Sequence, residues 1–173
     1  MSFDPRDKFW ESVFEIYYEC YFEEMVADEL LYRWSLLDDI TKWLVALTAS
    51  GSAVSGWALW NSTDWKIVWI IFSGISALLA ITHSALSVQQ RIKNWEASKA
   101  AFVDLRIDLG WLRQDMAINP DFDVTEYEAR LNVFRQRYRE NMARLSPDTL
   151  RTRRLDEKTQ IKLNETISDQ IQS

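Results

Sequence analysis

Two runs, Trp43–Thr63 (WLVALTASGSAVSGWALWNST) and Ile67–Val88 (IVWIIFSGISALLAITHSALSV), govern how the rest of the chain is read. The first carries no charged residue; the second carries one titratable group, His83. Each has about the ~20 residues a helix needs to cross a ~30 Å hydrocarbon layer. Only Asp64, Trp65 and Lys66 separate them, so two helices joined there run antiparallel. Trp57, Trp60, Trp65 and Trp69 gather near the turn and Trp43 stands at the other end, in the manner of interfacial aromatic belts. A helix pair in a water-exposed bundle would normally show charge on one face. The expectation is an all-α membrane protein: a two-span transmembrane helical hairpin with long cytoplasmic N- and C-terminal helical arms.

The flanks set the orientation. Arg33, Lys42, Arg91, Lys93 and Lys99 lie outside the hairpin ends, against Lys66 alone at the turn, which places both termini in the cytoplasm. The chain then divides into a cytoplasmic amphipathic helix (1–39), the hairpin (40–88), a C-terminal helical arm (89–158) and a polar tail (159–173) expected to be frayed. Four glycines and three prolines in 173 residues leave little room for loops. The single cysteine, Cys20, excludes an intrachain disulfide, and no cleavable leader is expected.

Within the spans, small residues can bring helices close, because packing rather than water expulsion drives association in lipid. Ala49, Ser52, Ala53 and Gly56 in the first run, and Gly74 and Ala77 in the second, are the packing candidates. They serve either the hairpin itself or a homo-oligomer. His83 is either an interfacial hydrogen-bonding group or a pore-lining position.

The arms carry opposite charge. Residues 1–39 hold 3 basic and 11 acidic groups, net −8, and residues 125–158 hold 9 basic and 6 acidic, net +3. Asp4-Pro5 suits a helix start. Glu11, Glu15, Glu19 and Glu23 recur every four residues beside a broad aromatic face, and such a stripe is a solvated surface or awaits a basic partner. Arg130, Arg137, Arg144 and Arg151 recur every seven residues. The simplest account lays this basic arm against the acidic one; anionic lipid or a phosphate-bearing ligand are alternatives. Trp95, Ser98, Phe102, Leu105, Leu109, Leu112 and Met116 form a heptad seam that continues from the second span without interruption and ends near Asn119-Pro120. Thr125 and Glu128 fit a capping box for the next helix.

No phosphate loop, metal-ligand spacing or nucleophile elbow is present, so no enzyme, cofactor or metal is expected, nor direct nucleic-acid binding. The hairpin Trp43–Val88 followed by the arm QQRIKNWEASKAAFVDLRIDLGWLRQDM (89–116) resembles the SLATT family of two-transmembrane effectors of bacterial anti-phage conflict systems. The resemblance implies an inner-membrane effector that oligomerises in contact with membrane lipid. When triggered, it would permeabilise or depolarise the membrane. A sensor protein or nucleoprotein complex, such as a nucleotide-signalling enzyme or a reverse-transcriptase system, would control it. The strongly acidic N-terminal arm departs from the family. The alternative is a non-conducting membrane anchor or scaffold that recruits a soluble partner through its helical arms, with Glu15 and Glu19 in the contact.

Overall fold

The structure, a computed structural model, describes residues 4–54, 67, 70–71, 74–75, 77–78, 81, 87–145 and 147–172. Among them the regular structure is entirely α-helical, with long elements α1 (Pro5–Val54), α2 (Val88–Ile118), α3 (Val124–Arg144) and α4 (Arg153–Gln172). The chain separates into two units, one of Met1–Leu30 with Trp95–Ser173, the other of Leu31–Asn94.

α1 starts where the sequence directs it: Asp4 Oδ1 accepts the Arg6 N–H at 2.9 Å, and Pro5 occupies the first helical position. No proline or glycine interrupts it until Gly51, so it runs for 50 residues. Its buried face is narrower and more regular than the aromatic face the sequence suggests. Phe9, Val13, Ile16, Cys20, Glu23, Ala27, Leu30 and Trp34 are all buried, at alternating spacings of four and three.

The length of α1 also corrects the membrane expectation. Among the described residues no helix is long and apolar enough to cross a membrane. Inside α1 the uncharged run starts only at Trp43. Extending it backwards meets Lys42, Asp39 and Asp38, and Asp38 is buried and ion-paired to Lys42. The transmembrane hairpin, the inner-membrane placement and the pore-forming role are therefore not supported. The small-residue candidates fall unevenly: Ala49, Ser52 and Ala53 lie in the last turns of α1, while Gly56 and His83 lie outside the described residues. Gly74 and Ala77 are helical and exposed, and a Cβ built on Gly74 would meet nothing within 4 Å.

α2 does not continue unbroken from the second run. Ser87 adopts φ +50°, a left-handed conformation rare for a residue other than glycine. Its carbonyl accepts the N–H groups of Gln90 and Arg91 at 2.9 and 3.1 Å and so starts a new helix at Val88. In the Leu31–Asn94 unit, α1 and α2 meet through Gln89, which donates to Asp38 at 2.8 Å, and through Arg91, which stacks on Trp34.

In the larger unit, α1 and α2 run antiparallel. Asp28 pairs with Lys99, while at the other end Phe9 packs on Phe122 just past α2. The expected α2 seam is buried at Trp95, Phe102, Leu105, Leu109, Leu112 and Met116. It closes on this chain's own α1 and α3 in one core that includes Tyr127 and Leu131, so it does not serve as a free coiled-coil seam. α3 is capped by Asp123, whose carboxylate accepts the Thr125 N–H at 2.9 Å; the cap is two residues ahead of the expected Thr125. The polar tail is a correction as well. It belongs to α4, a 20-residue helix started by Thr152 and anchored by buried Leu155, Thr159 and Leu163.

Candidate functional site: the acidic side of α1 and its arginine clamps

The stripe Glu11, Glu15, Glu19 and Glu23 does not behave as one surface. Glu11, Glu15 and Glu19 are exposed, whereas Glu23 sits on the heptad seam of α1 at 5 % exposure. A carboxylate there needs a close partner, because an unpaired buried charge is strongly destabilising. Arg151 supplies it. Its two terminal nitrogens donate to the two Glu23 oxygens, both at 2.9 Å, and its Nε donates to Asp156 at 3.1 Å. Burial alone would lower the Arg151 pKa, and the hydrogen bonds and charges of Glu23 and Asp156 outweigh it and raise the pKa. This fork-to-fork geometry is the strongest form of side-chain ion pair.

Arg151 lies between α3 and α4, so the clamp fixes that connection to α1. Two further polar contacts secure the same region. Trp95 donates its indole N–H to Asp148 at 2.7 Å, and Asp148 also accepts the Leu150 N–H. Tyr18 of α1 hydrogen-bonds with Gln160 and Asn164 of α4. α4 is therefore held by three polar fastenings and a thin apolar strip.

The other expected arginines go elsewhere. Arg130 pairs with Asp115 and Arg137 with Asp108, both on α2, and Arg144 is exposed. Among the described residues, Arg151 is the one member of the seven-residue repeat that pairs with an acid of α1. Two further acids of α1 are met from α2. Arg106 binds Glu24 at 2.5 and 3.3 Å while lying over the Tyr21 ring, and Lys99 binds Asp28. The hydrogen bond to Glu24 raises the Arg106 pKa. Two α2 turns on, Arg113 lies over Phe14 and Tyr17, and its Nε is the one buried side-chain nitrogen or oxygen without a hydrogen bond among the described residues.

Cys20 and Tyr138 lie near this acidic seam. Burial first, then Glu19, Glu24 and Glu23, push the Cys20 thiol up to about 12, so it is protonated and inert near neutrality. Burial and the neighbouring Glu19 and Glu23 likewise hold the Tyr138 phenol well above its ordinary range. Among the described residues no group of three or more metal-ligating side chains converges. An open recess between the start of α1 and α3 is lined by Lys8, Ser12, Glu128 and Arg135 over Phe9 and Leu131.

The spacing in fours groups Glu23 with Glu11, Glu15 and Glu19, as a solvated surface or one awaiting a basic partner, and does not separate the buried member from the exposed three. The alternating four-three spacing from Phe9 to Trp34 was the signal that places it inside. Thr152 followed by Leu155 and Leu163 was the corresponding signal for α4.

No known protein family, curated protein or solved structure matches this chain. Nothing identifies a SLATT domain in it.

Proposed function

We propose that this chain is a non-enzymatic helical scaffold that recruits a partner protein through an apolar helical face of its Leu31–Asn94 unit. One observation carries the reading. Of the seventeen large apolar side chains exposed among the described residues, eleven lie between Tyr32 and Ile81. Ile67, Ile70, Ile71, Ile75, Leu78 and Ile81 recur at helical spacing, and Ile67, Leu78 and Ile81 are each more than 60 % exposed. Tyr32, Leu36, Ile40 and Trp43 form a similar row on α1. Contiguous apolar surface of this kind marks interaction sites. The larger unit supports the same reading from the opposite direction, since its buried Glu23 and the half-buried Glu24 are engaged in helix-to-helix clamps and its thiol is closed off. The permeabilising role expected from the family resemblance depends on two membrane spans, so the scaffold is the reading carried forward.

The test is a photo-crosslinking amino acid placed at Leu78 of the full chain in its native cell. A protein adduct of defined mass, lost on Ile67→Asp with Ile75→Asp, is the expected result. Adducts to lipid alone, or none, remove the scaffold reading.

A further inference from the structure

We propose that α4 is an exchangeable arm, and that two copies of this chain assemble by each seating its Arg151–Gln172 segment on α1 of the other. The inference rests on the seat of α4 in the larger unit and is independent of the apolar face at Ile67–Ile81.

The seat has unusual chemistry. An apolar helix docked in an apolar groove tolerates many substitutes, because the hydrophobic effect is non-directional. The α4 seat is more selective. It presents a buried carboxylate, Glu23, in a seam position where the flanking seam residues are Cys20 and Ala27. Any occupant must bring a cation to that point or leave a buried charge unpaired. It must also place leucines four and twelve residues beyond the cation, as Leu155 and Leu163 follow Arg151. Side chains at Gln160 and Asn164 must meet the Tyr18 hydroxyl. The chain's own segment satisfies every one of these requirements, so the best-matched foreign occupant is that segment from a second copy.

The connection favours exchange. Residues 145–152 between α3 and α4 contain Pro147 and form no helix among those described. Short hinges between a docked element and its body are where reciprocal exchange arises, because each contact made within one copy can be remade between two. α4 buries few apolar residues, so the cost of lifting it lies mainly in the Glu23–Arg151 clamp.

That clamp supplies a test with the full chain. In the Glu23→Arg chain two arginines face each other, and in the Arg151→Glu chain two glutamates do; neither can close α4 on itself. Mixed, they can exchange: Arg151 of the first meets Glu23 of the second, and the introduced glutamate meets the introduced arginine. The expected result is a stoichiometric one-to-one complex of twice the monomer mass by light scattering, with α4 amides protected from hydrogen exchange. The single chain carrying Glu23→Arg together with Arg151→Glu is the control for compatibility, and it should protect α4 as the parent does. A control that protects α4 beside a mixture with no more complex than either component alone overturns the proposal. So does a control in which α4 stays unprotected, because the clamp would then not be what seats the arm.

Discussion

α1 buries two carboxylates, and the two units hold theirs in different ways. Glu23 is gripped at both oxygens by an arginine 128 residues away in the chain. Asp38 is shared between Lys42, one turn along the same helix, and Gln89. The first acid fastens a distant segment; the second relies partly on its own helix, through a lysine that is 63 % exposed. Burial of an acid therefore does not have one structural meaning. Where its partner comes from decides whether the charge organises tertiary structure or only satisfies a side chain.

Removing the distant partner should expose that difference most sharply. Arg151→Met strands the Glu23 carboxylate, and because Arg151 is partly exposed the loss should be about 2–4 kcal/mol, below the top of the range for buried pairs. A urea midpoint shift measures it. Glu23→Leu together with Arg151→Met should recover most of the loss, and a double variant no more stable than Arg151→Met would show that the pair's electrostatics were not the cause.

Asp38→Ala should cost less, about 1–2 kcal/mol, because Lys42 reaches water without it. Hydrogen exchange should show the effect near α1 and α2 in the Leu31–Asn94 unit. Equal loss of protection in α4 would argue against a separate role for each acid.

Cys20 tests the environment of the first acid by pH. Its thiol titrates at about 12 in the folded chain against an ordinary value of 9.0. The folded state thus holds the proton more tightly. The thiol's contribution is intact below pH 9 and is lost as pH rises from 9 towards about 12. At pH 10 the difference in stability between the parent and Cys20→Ala should have changed by about 1 kcal/mol from its value at pH 8. A difference that stays constant over that interval would place the thiol in contact with water. The same burial predicts slow alkylation at pH 8, with rapid reaction only after unfolding.

Smaller effects should follow the caps and the exposed pairs. Thr152→Ala removes the acceptor for the Leu155 N–H and should cost about 1 kcal/mol, with protection lost first in the opening turn of α4. Asp28→Ala breaks the pair with Lys99, whose members are 64 % and 38 % exposed, and should cost less than ~1 kcal/mol, falling with added salt.

Parts of this architecture could be read directly. Trp95 to Met116 kept apolar side chains at nearly every seam position, so its burial was visible in the spacing. α1 follows the same spacing, but Cys20, Glu23 and Ala27 occupy three consecutive seam positions, and neither size nor polarity marks them as interior. α4 was hidden for a related reason: Thr159 stands between its two buried leucines, and the rest of the helix is strongly polar. The runs at 43–88 misled because their lengths were counted without asking where the helices begin. α1 begins 38 residues before Trp43, and Ser87 separates the second run from α2. Of the clamp itself, Arg151 and Glu23 each stood out in a repeat and opposite charge set their arms together, but which arginine meets which glutamate was not legible, because a repeat gives a direction around the helix axis and no address on another helix.

The contact between Tyr18 and Gln160 spans 142 residues. A ribosome adding ~5–20 residues per second takes roughly 7–28 s to cover that distance, so α1 is complete long before α4 is made. Within that interval α2 and α3 come to cover the neighbouring seam of α1, and the strip that receives α4 is closed after them. A glutamate on that strip makes wrong apolar partners unrewarding. The arginine that relieves it is made 128 residues later, so the charge that is a burden in the interior also keeps the place of α4 vacant until α4 arrives.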